Sequence, residues 1–332
     1  MHDFFHRNRR SLRFAGAACA LVASFAAPAA QAQSYPSKPI RLVVGYPPGG
    51  SNDIVARIVA PHLSEALGTT VVVENRAGAS GTIGADHVAK AAPDGYTLLF
   101  SSMSPVVLTP QTMKQAPFKT LTDFVPVNMV GLTPEAIAVG PKLKDVKSLK
   151  SLLQLANTQP VTLSSSGPGG LPHLTIELLK QASKGKIMHV PYRGAGPAVT
   201  DTLAGHVDGI VMDVPPLYSL IKEGRLNALA VTSEKRVGFL DGVPTAAEVL
   251  PDFNVVNWLA VFAPAKTPAD VVATIEKALH KVVARDDFKQ QLERVAVVPA
   301  ILPDAKAFQQ RVDQDYKRWG AIIKDAGVSM TD

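Results

Sequence analysis

Cysteine is nearly absent from this chain of 332 residues, because Cys19 is the only one. It lies in a leader that we predict to be removed, so the mature chain would contain no cysteine. Such a chain has no disulfide, no thiolate nucleophile and no cysteine metal site. An exported protein of this length then depends on its hydrophobic core for stability.

The sequence also has no apolar run long enough to cross a bilayer. Its most apolar stretch, residues 14–27, is short, follows a segment with four arginines and precedes a small-residue site at 30–32. Residues 1–32 therefore have the pattern of a secretory signal peptide, cleaved before Gln33. We expect an exported protein, periplasmic if its source is a Gram-negative bacterium.

A strong charge of one sign is missing as well. The formal net charge is +6, from 34 basic and 28 acidic side chains. Removing the leader takes away four arginines and one aspartate and leaves about +3. A charge this small does not indicate a nucleic-acid partner.

The chain lacks the common signatures of enzymes and cofactor sites. It contains no G-x-G-x-x-G, G-x-x-x-x-G-K-[ST], G-x-S-x-G or H-E-x-x-H segment, and its histidines have no metal-ligand spacing. We therefore predict no catalytic residue, no cofactor and no metal. Because many enzymes have no such motif, an exported α/β hydrolase or lyase acting on a small carboxylate stays as an alternative.

What the chain does contain is a repeated order of strand, turn and helix. The β-branched run Ile40–Val44 predicts a buried strand, and a one-sided apolar stripe from Asp53 to Leu67 predicts a helix that Gly68 ends. Two more strands complete a βαβαβ unit, and the alternation resumes after residues 124–138. This pattern indicates an α/β fold with parallel strands.

The interruption in the alternation predicts two α/β domains. We place domain 1 at residues 36–133 and 256–332 and domain 2 at residues 134–255. Two chain crossings between domains predict a hinged clamshell. Its ligand cleft should lie between the domains, at the carboxyl ends of the strands.

Four corners, at residues 45–53, 165–170, 191–196 and 213–216, each follow a strand and are rich in glycine, serine or proline. The first N–H groups of a helix have no partner within it, and the positive end of its dipole favours an anion. Neutral donors with one cation, Arg193, suit a small carboxylate better than a nucleotide.

Several of these candidates have an ordinary structural explanation. Asp53 contacts a ligand or caps its own helix, and capping is the commoner role. Arg193 pairs with a carboxylate or is a surface arginine, although its charge opposes the dipole of the helix that follows. His173 is more often a structural residue than a ligand contact, and Tyr46 stacks on a ligand or packs.

The order of several segments resembles one known family. The segments include Tyr-Pro-Pro-Gly-Gly-Ser-Asn-Asp at 46–53, Val-Pro-Tyr-Arg-Gly at 190–194 and Ala-Pro-Ala-Lys-Thr-Pro at 263–268. Together they resemble the Bug-type extracytoplasmic solute receptors, the TctC-like substrate-binding proteins of tripartite tricarboxylate transporters. The resemblance implies the type II periplasmic binding protein fold, no catalysis, and delivery of a small organic acid to TctA/TctB-like membrane subunits. It is also compatible with a receptor that reports its ligand to a signalling partner, and we expect a monomer.

The resemblance further implies a ligand site made by loops of both domains. The predicted residues are Tyr46, Gly49, Gly50, Ser51, Asp53, Ser101, Ser102, Ser166, Gly167, Gly169, Gly170, His173, Arg193, Gly194, Ala195, Gly196 and Asp213. Pro168 and Pro172 depart from the small polar residues usual in the second-domain corner, which leaves fewer N–H and hydroxyl donors there. The sequence does not identify the acid.

Overall fold

Strands and helices alternate along residues 35–330, the part of the chain that this computed structural model describes. The strands are β1 (Ile40–Val44), β2 (Val71–Asn75), β3 (Thr97–Ser102), β4 (Phe124–Val139), β5 (Val161–Ser165), β6 (Ile187–Pro191), β7 (Gly209–Asp213), β8 (Asn227–Val231), β9 (Val256–Pro264) and β10 (Val298–Pro299). The helices are α1 (Ser51–Leu67), α2 (Thr82–Ala89), α3 (Thr109–Thr112), α4 (Leu149–Thr158), α5 (Leu171–Ser183), α6 (Ala195–Leu203), α7 (Tyr218–Lys222), α8 (Ala269–Ala284), α9 (Asp286–Arg294) and α10 (Ala305–Ala326). The predicted signal peptide lies outside the described residues.

Strand β4 belongs to both halves of one sheet, whose order is β2-β1-β3-β9-β4-β7-β5-β6. As far as Pro134, β4 pairs with β9, and from Glu135 it pairs with β7 and β8. We call residues 35–133 and 256–330 the first lobe, and residues 134–255 the second lobe. Their division into two domains stays a prediction.

The first βαβ unit forms as its sequence pattern indicates. In β1, Ile40, Leu42 and Val44 are fully buried on one face and Val43 on the other, as a parallel strand covered on both faces requires. Helix α1 begins two residues earlier than the apolar stripe does, because Gly50 has extended dihedral angles and is the N-cap. Gly68 ends α1 in the left-handed conformation, as predicted.

Helix α10 packs against both lobes. Phe308 and Trp319 are buried in one core with residues of both lobes. Asp315 is buried too, and it accepts a hydrogen bond of 3.0 Å from the indole Nε1 of Trp258 in β9. The helix contacts β4 and α3, and also α5 of the second lobe, so it joins the lobes on the side of α5.

No helix within residues 35–330 is both long and apolar enough to cross a membrane. The longest, α10, has 22 residues and carries a charged face.

Candidate functional site

A small cavity lies between the lobes, beside the carboxyl ends of β3 and β7. Its volume is about 30 Å³, which is room for roughly two water molecules. The first lobe lines it with Tyr46, Gly50, Ser51, Asn52, Ser102, Ser104 and Asn257, and the second lobe with Ser166, Pro172, Ala195, Met212, Asp213 and Pro216. Hydroxyl and amide groups dominate this lining.

Three helices begin at this cavity without a side-chain cap. The N-cap residues of α1, α5 and α6 are Gly50, Gly170 and Gly194, and none provides a capping side chain. The first N–H groups of α1 and α6 are therefore free to face the cavity. Helix α5 contributes less, because Ser104 already accepts from the N–H of Leu171 and Pro172 has no N–H. Helix α6 also has a proline in its first turn, Pro197, so only the N–H groups of Ala195 and Gly196 are available there. The positive ends of these helix dipoles favour an anion at this place.

Asp213 is the acidic residue of the cavity wall. The side-chain amide of Asn257 donates to both of its carboxylate oxygens at 3.1 Å. The carbonyl oxygen of that amide accepts from the backbone N–H of Met103 at 3.1 Å. Burial raises the pKa of Asp213 to about 6, against the hydrogen bonds from Asn257 and Ser51. Among the described residues, no lysine or arginine lines the cavity to balance this charge.

Tyr46 forms a wall between the cavity and the groove outside it. Burial raises the pKa of its hydroxyl, and the nearby charge of Asp213 adds to that effect, so the phenol stays protonated. The hydroxyl of Ser104 lies beside it. The same Ser104 oxygen accepts from the N–H of Leu171 in the second lobe at 2.9 Å.

Three further hydrogen bonds, in addition to those from Asn257 to Asp213, join the loops on the two sides of the cleft. Besides the bond to Leu171, Ser80 donates to the carbonyl of Pro168 at 2.7 Å, and Thr109 donates to the carbonyl of Gly169 at 3.2 Å. An enclosed site excludes water, which strengthens the interactions of an anion with fixed dipoles.

The groove next to this cavity is larger, with a volume of about 480 Å³. It is lined by Tyr46, Pro47, Ala77, Gly78, Ala79, Ser80, Gly81, Ser166, Pro168, Tyr192, Arg193, Gly194 and Met330. Tyr46 and Ser166 belong to both linings, so the two spaces adjoin. Arg193 is exposed in the groove and has no ion pair within residues 35–330.

The structure places the predicted site residues in three groups. The cavity wall contains Tyr46, Gly50, Ser51, Ser102, Ser166, Ala195 and Asp213. The groove contains Arg193 and Gly194, together with Tyr46 and Ser166. Neither lining includes Gly49, Asp53, Ser101, Gly167, Gly169, Gly170, His173 or Gly196.

Asp53 does not cap its own helix, because Gly50 is the N-cap of α1 and no side chain caps that helix. Its carboxylate accepts from the N–H of Gly49 at 3.0 Å, from Asn75 at 2.9 Å and from Arg57 at 3.0 Å. Burial opposes its ionisation, but these hydrogen bonds outweigh burial and lower its pKa. Asp53 thus fixes the loop before α1 rather than facing the cavity.

His173 also makes structural contacts. Its Nδ1 accepts from the N–H of Gly169 at 3.0 Å, and its ring stacks on His189 with centroids 3.9 Å apart. Burial lowers the pKa of both rings, that of His189 to about 3. His189 Nε2 lies 2.6 Å from the hydroxyl of Ser165. This serine is fully buried and donates to the carbonyl of Gly167 at 3.1 Å, so it is not placed as an accessible nucleophile.

Asn52, Ser104 and Asn257 are polar lining residues that the sequence analysis did not select. Asn257 had a usable signal, because it is the polar residue within the apolar run of β9. Ser104 follows β3 in a stretch without clear periodicity. Asn52 donates to Ser102 at 3.2 Å, a contact between α1 and β3 that only the folded chain creates.

An α/β fold with two lobes on one sheet and a polar cavity between them is the architecture found in solute-binding proteins of the periplasmic type. Residues 55–328 match the family described as "TctC: Tripartite tricarboxylate transporter family receptor". The chain belongs to this family, which confirms the predicted resemblance and the predicted fold.

Known relatives are similar to this chain over nearly its whole length. Protein BugT of Bordetella pertussis is 37% identical over 314 residues, 93% of this chain and 95% of that protein. A solved structure described as "R. palustris Rpa4515 with adipate" is 30% identical with a TM-score of 0.85, covering 89% of this chain and 99% of that one. MatC of Rhodopseudomonas palustris, with bound malate, is 26% identical with a TM-score of 0.80, covering 87% of this chain and 100% of that one. This chain is therefore a solute-binding receptor of the same family.

Proposed function

We propose that this protein binds a small organic carboxylate in the cavity and passes it unchanged to a tripartite transporter. The observation that carries the proposal is the convergence of the glycine-capped ends of α1 and α6 on a closed, polar cavity. Free backbone N–H groups there hold a carboxylate without any cationic side chain. Adipate and malate, named with the two related structures, are both dicarboxylates, which supports this ligand class.

One ligand molecule occupies both of the adjoining spaces, the cavity and the groove. The cavity is large enough for a carboxylate group and little more. The rest of the molecule extends past Tyr46 and Ser166 into the groove, where Arg193 can pair with a second carboxylate. Affinity for the first carboxylate thus comes from α1 and α6, and selectivity for the distal end comes from the groove.

The partners follow from the family. Receptors of this family are periplasmic, and we propose the same location for this chain after removal of residues 1–32. We further propose that it acts as a monomer, without catalysis, and that TctA/TctB-like membrane subunits receive the acid. Enzymatic turnover remains the competing function, and the binding experiment below includes a test for it.

A thermal-shift screen of the purified protein tests the proposal. The panel contains mono-, di- and tricarboxylates, aromatic acids and amino acids, each dicarboxylate matched by its neutral diamide. A ligand at 100 times its Kd should add about 2.7 kcal/mol of stability, and the diamides should add none. Stabilisation by no acid contradicts the proposal, and so does a new product detected by NMR in the incubated mixture.

The same screen tests whether Arg193 in the groove contributes to binding of the ligand. Arg193→Gln should weaken binding of a dicarboxylate about tenfold, the value of one charge-assisted hydrogen bond. Arg294→Gln, which removes an exposed arginine of α9 far from the groove, should leave it unchanged. Equal affinities in the two variants would remove Arg193 from the site.

A further inference from the structure

Glu135 is a buried carboxyl group next to the cavity that the proposed function does not use. It is fully buried, and neither of its oxygens has a hydrogen-bond partner within the described residues. It stands directly opposite Asp213 in the antiparallel pairing of β4 and β7. Residues in such a pair project to the same face of the sheet, with Cβ atoms about 5 Å apart. The carboxyl groups of Glu135 and Asp213 therefore lie side by side.

Two carboxyl groups this close and this buried do not both ionise. Glu135 and Asp213 therefore carry one proton between them at neutral pH. On the helix side, the Thr175 hydroxyl of α5 lies beside Glu135, and on the cavity side the hydroxyl of Ser51 lies beside Asp213. The question is which carboxyl group keeps the proton.

The hydrogen bonds of Asn257 show which of the two carboxyl groups keeps the proton. The backbone N–H of Met103 can only donate, so the atom of the Asn257 amide that faces it is the carbonyl oxygen. The NH₂ of Asn257 must then face Asp213, where it donates to both oxygens. Asp213 is the acceptor and keeps the charge, and Glu135 keeps the proton. Burial and the charge of Asp213 both raise the pKa of Glu135 well above its usual range.

The cavity therefore has donors on one wall and an ionised acceptor on another. The donors are the free N–H groups of α1 and α6, and the acceptor is Asp213, which lines the cavity while Glu135 does not. An acid without a substituent beside its carboxylate offers Asp213 no hydrogen-bond donor. A hydroxyl or ammonium group next to the bound carboxylate gives Asp213 the donor it needs.

We propose that Asp213, kept ionised by the neutral Glu135, selects acids with a hydroxyl or ammonium group beside the carboxylate. This inference rests on the proposed function and narrows its ligand class. Glu135 acts through Asp213 and is a positioning residue, while Asp213 contacts the ligand. The ligand is thus a 2-hydroxy or a 2-amino acid, and the comparison of the two substituents identifies which.

Isothermal titration with acids of equal length tests the inference. Succinate, malate and aspartate form one set, and propionate, lactate and alanine form another. The preferred substituted acid of a set should bind about 10- to 100-fold more tightly than the unsubstituted acid, the value of a hydrogen bond to a charged group. A preference for malate and lactate identifies a hydroxyl, and a preference for aspartate and alanine identifies an ammonium group.

Two isosteric variants separate charge from shape. Asp213→Asn removes the charge and should reduce the preference to less than about threefold, whereas Glu135→Gln leaves Asp213 ionised and should retain it. The exposed variant Asp241→Asn should behave as the wild type. A thermal unfolding curve checks that each variant is folded, and the wild-type comparison stands alone if Asp213→Asn is not.

The outcomes distinguish the two proposals. Equal binding of substituted and unsubstituted acids, binding only of unsubstituted ones, or an unchanged preference in folded Asp213→Asn contradicts the inference but not the proposed function. Binding of no carboxylate at all contradicts the proposed function itself.

Discussion

The stacked rings of His173 and His189 illustrate how a candidate binding residue can be a structural one. Both rings are half-buried beside the second-lobe corner at residues 165–170, where His173 accepts from the N–H of Gly169 and His189 contacts Ser165. Burial disfavours their charged forms. At the residue scale, these side chains fix the backbone that carries the site rather than touching the cavity.

The depressed pKa of His189 predicts loss of stability in acid. The unfolded chain binds a proton near the usual pKa of 6.5, while the folded chain binds it only near 3. Between these values the unfolded state holds more protons, so the free energy of unfolding falls as the pH falls from 6.5 towards 3. Urea unfolding at pH 7.5 and pH 5 should show a smaller loss for His189→Gln than for the wild type.

His280→Gln is the matched control for that comparison, because His280 is exposed on α8. It should show the full wild-type loss. If His189→Gln also loses as much stability as the wild type, the buried neutral state of His189 is wrong.

Gly194 supports a second prediction at this scale. Its φ is +105°, and an added Cβ would lie 3.1 Å from Cγ of Pro47. Gly194→Ala should therefore reduce the free energy of unfolding by about 1–3 kcal/mol. Gly196, two residues further on, has open space around it and no such φ. Gly196→Ala should change stability much less in urea unfolding, and equal losses would contradict the argument.

The helices of this protein differ in their N-cap residues. Away from the cavity, α4 begins with a capping box of Ser148 and Ser151, and α10 begins with Asp304, which accepts from the N–H of Ala307 at 2.7 Å. At the cavity, glycines stand in the N-cap positions of α1, α5 and α6. Helices α2, α8 and α9 do not line the cavity and also begin without a side-chain cap. At the element scale, the uncapped N–H groups of α1 and α6 therefore matter because of where these two helices begin.

An acidic cap should compete with the ligand. Gly50 has φ −83° and ψ 167°, which any residue can adopt, and an added Cβ would meet Ala195 at an ordinary 3.9 Å. In Gly50→Asp the new carboxylate can accept from the first N–H groups of α1. The variant should remain folded and bind the acid found in the screen at least about tenfold more weakly, because like charges repel.

Ser148→Ala is the contrasting variant. It removes the cap of α4 and should reduce stability by about 1 kcal/mol with no change in the Kd of the acid. Calorimetric titration and urea unfolding measure both effects. Unchanged affinity in Gly50→Asp would show that the start of α1 does not hold the carboxylate.

The two lobes share strand β4, and β9 returns the chain to the first lobe. Hydrogen bonds donated by Ser80 and Thr109, and one accepted by Ser104, join the loops on both sides of the cleft. For the molecule as a whole, closure is an equilibrium between two states. These contacts stabilise the closed state, and the greater conformational freedom of the separated lobes favours the open state. The ligand shifts that balance by binding only between them.

Weakening a hydrogen bond that closes the cleft should weaken binding of the acid, even where that bond does not touch the acid. Ser80→Ala removes the bond to Pro168 and should raise the Kd of the acid roughly 2- to 10-fold, the value of one neutral hydrogen bond. Ser183→Ala, which removes a bond on the exposed end of α5, should not change it. If both variants bind as the wild type does, the Ser80 contact does not contribute to closure.

The order of elements was predictable because buried strands and one-sided helices leave strong periodic patterns. The run Ile40–Val44 and the stripe of α1 are examples, and Gly68 ended that helix as expected. The site was predictable only in part. Asn257 and Ser104 reach the cavity through tertiary packing, and the carboxylate of Asp53 is occupied by Arg57 and Asn75. A corner sequence does not reveal which of its residues face outwards from the fold.

The central claim is that a carboxylate is held at the starts of α1 and α6 inside a closed cavity. A crystal structure of the protein grown with saturating amounts of the best acid from the screen tests it most directly. We expect an unaltered acid with one carboxylate within hydrogen-bond distance of backbone N–H groups of both helices. An acid bound elsewhere on the protein, or a chemically altered one in the cavity, would contradict it.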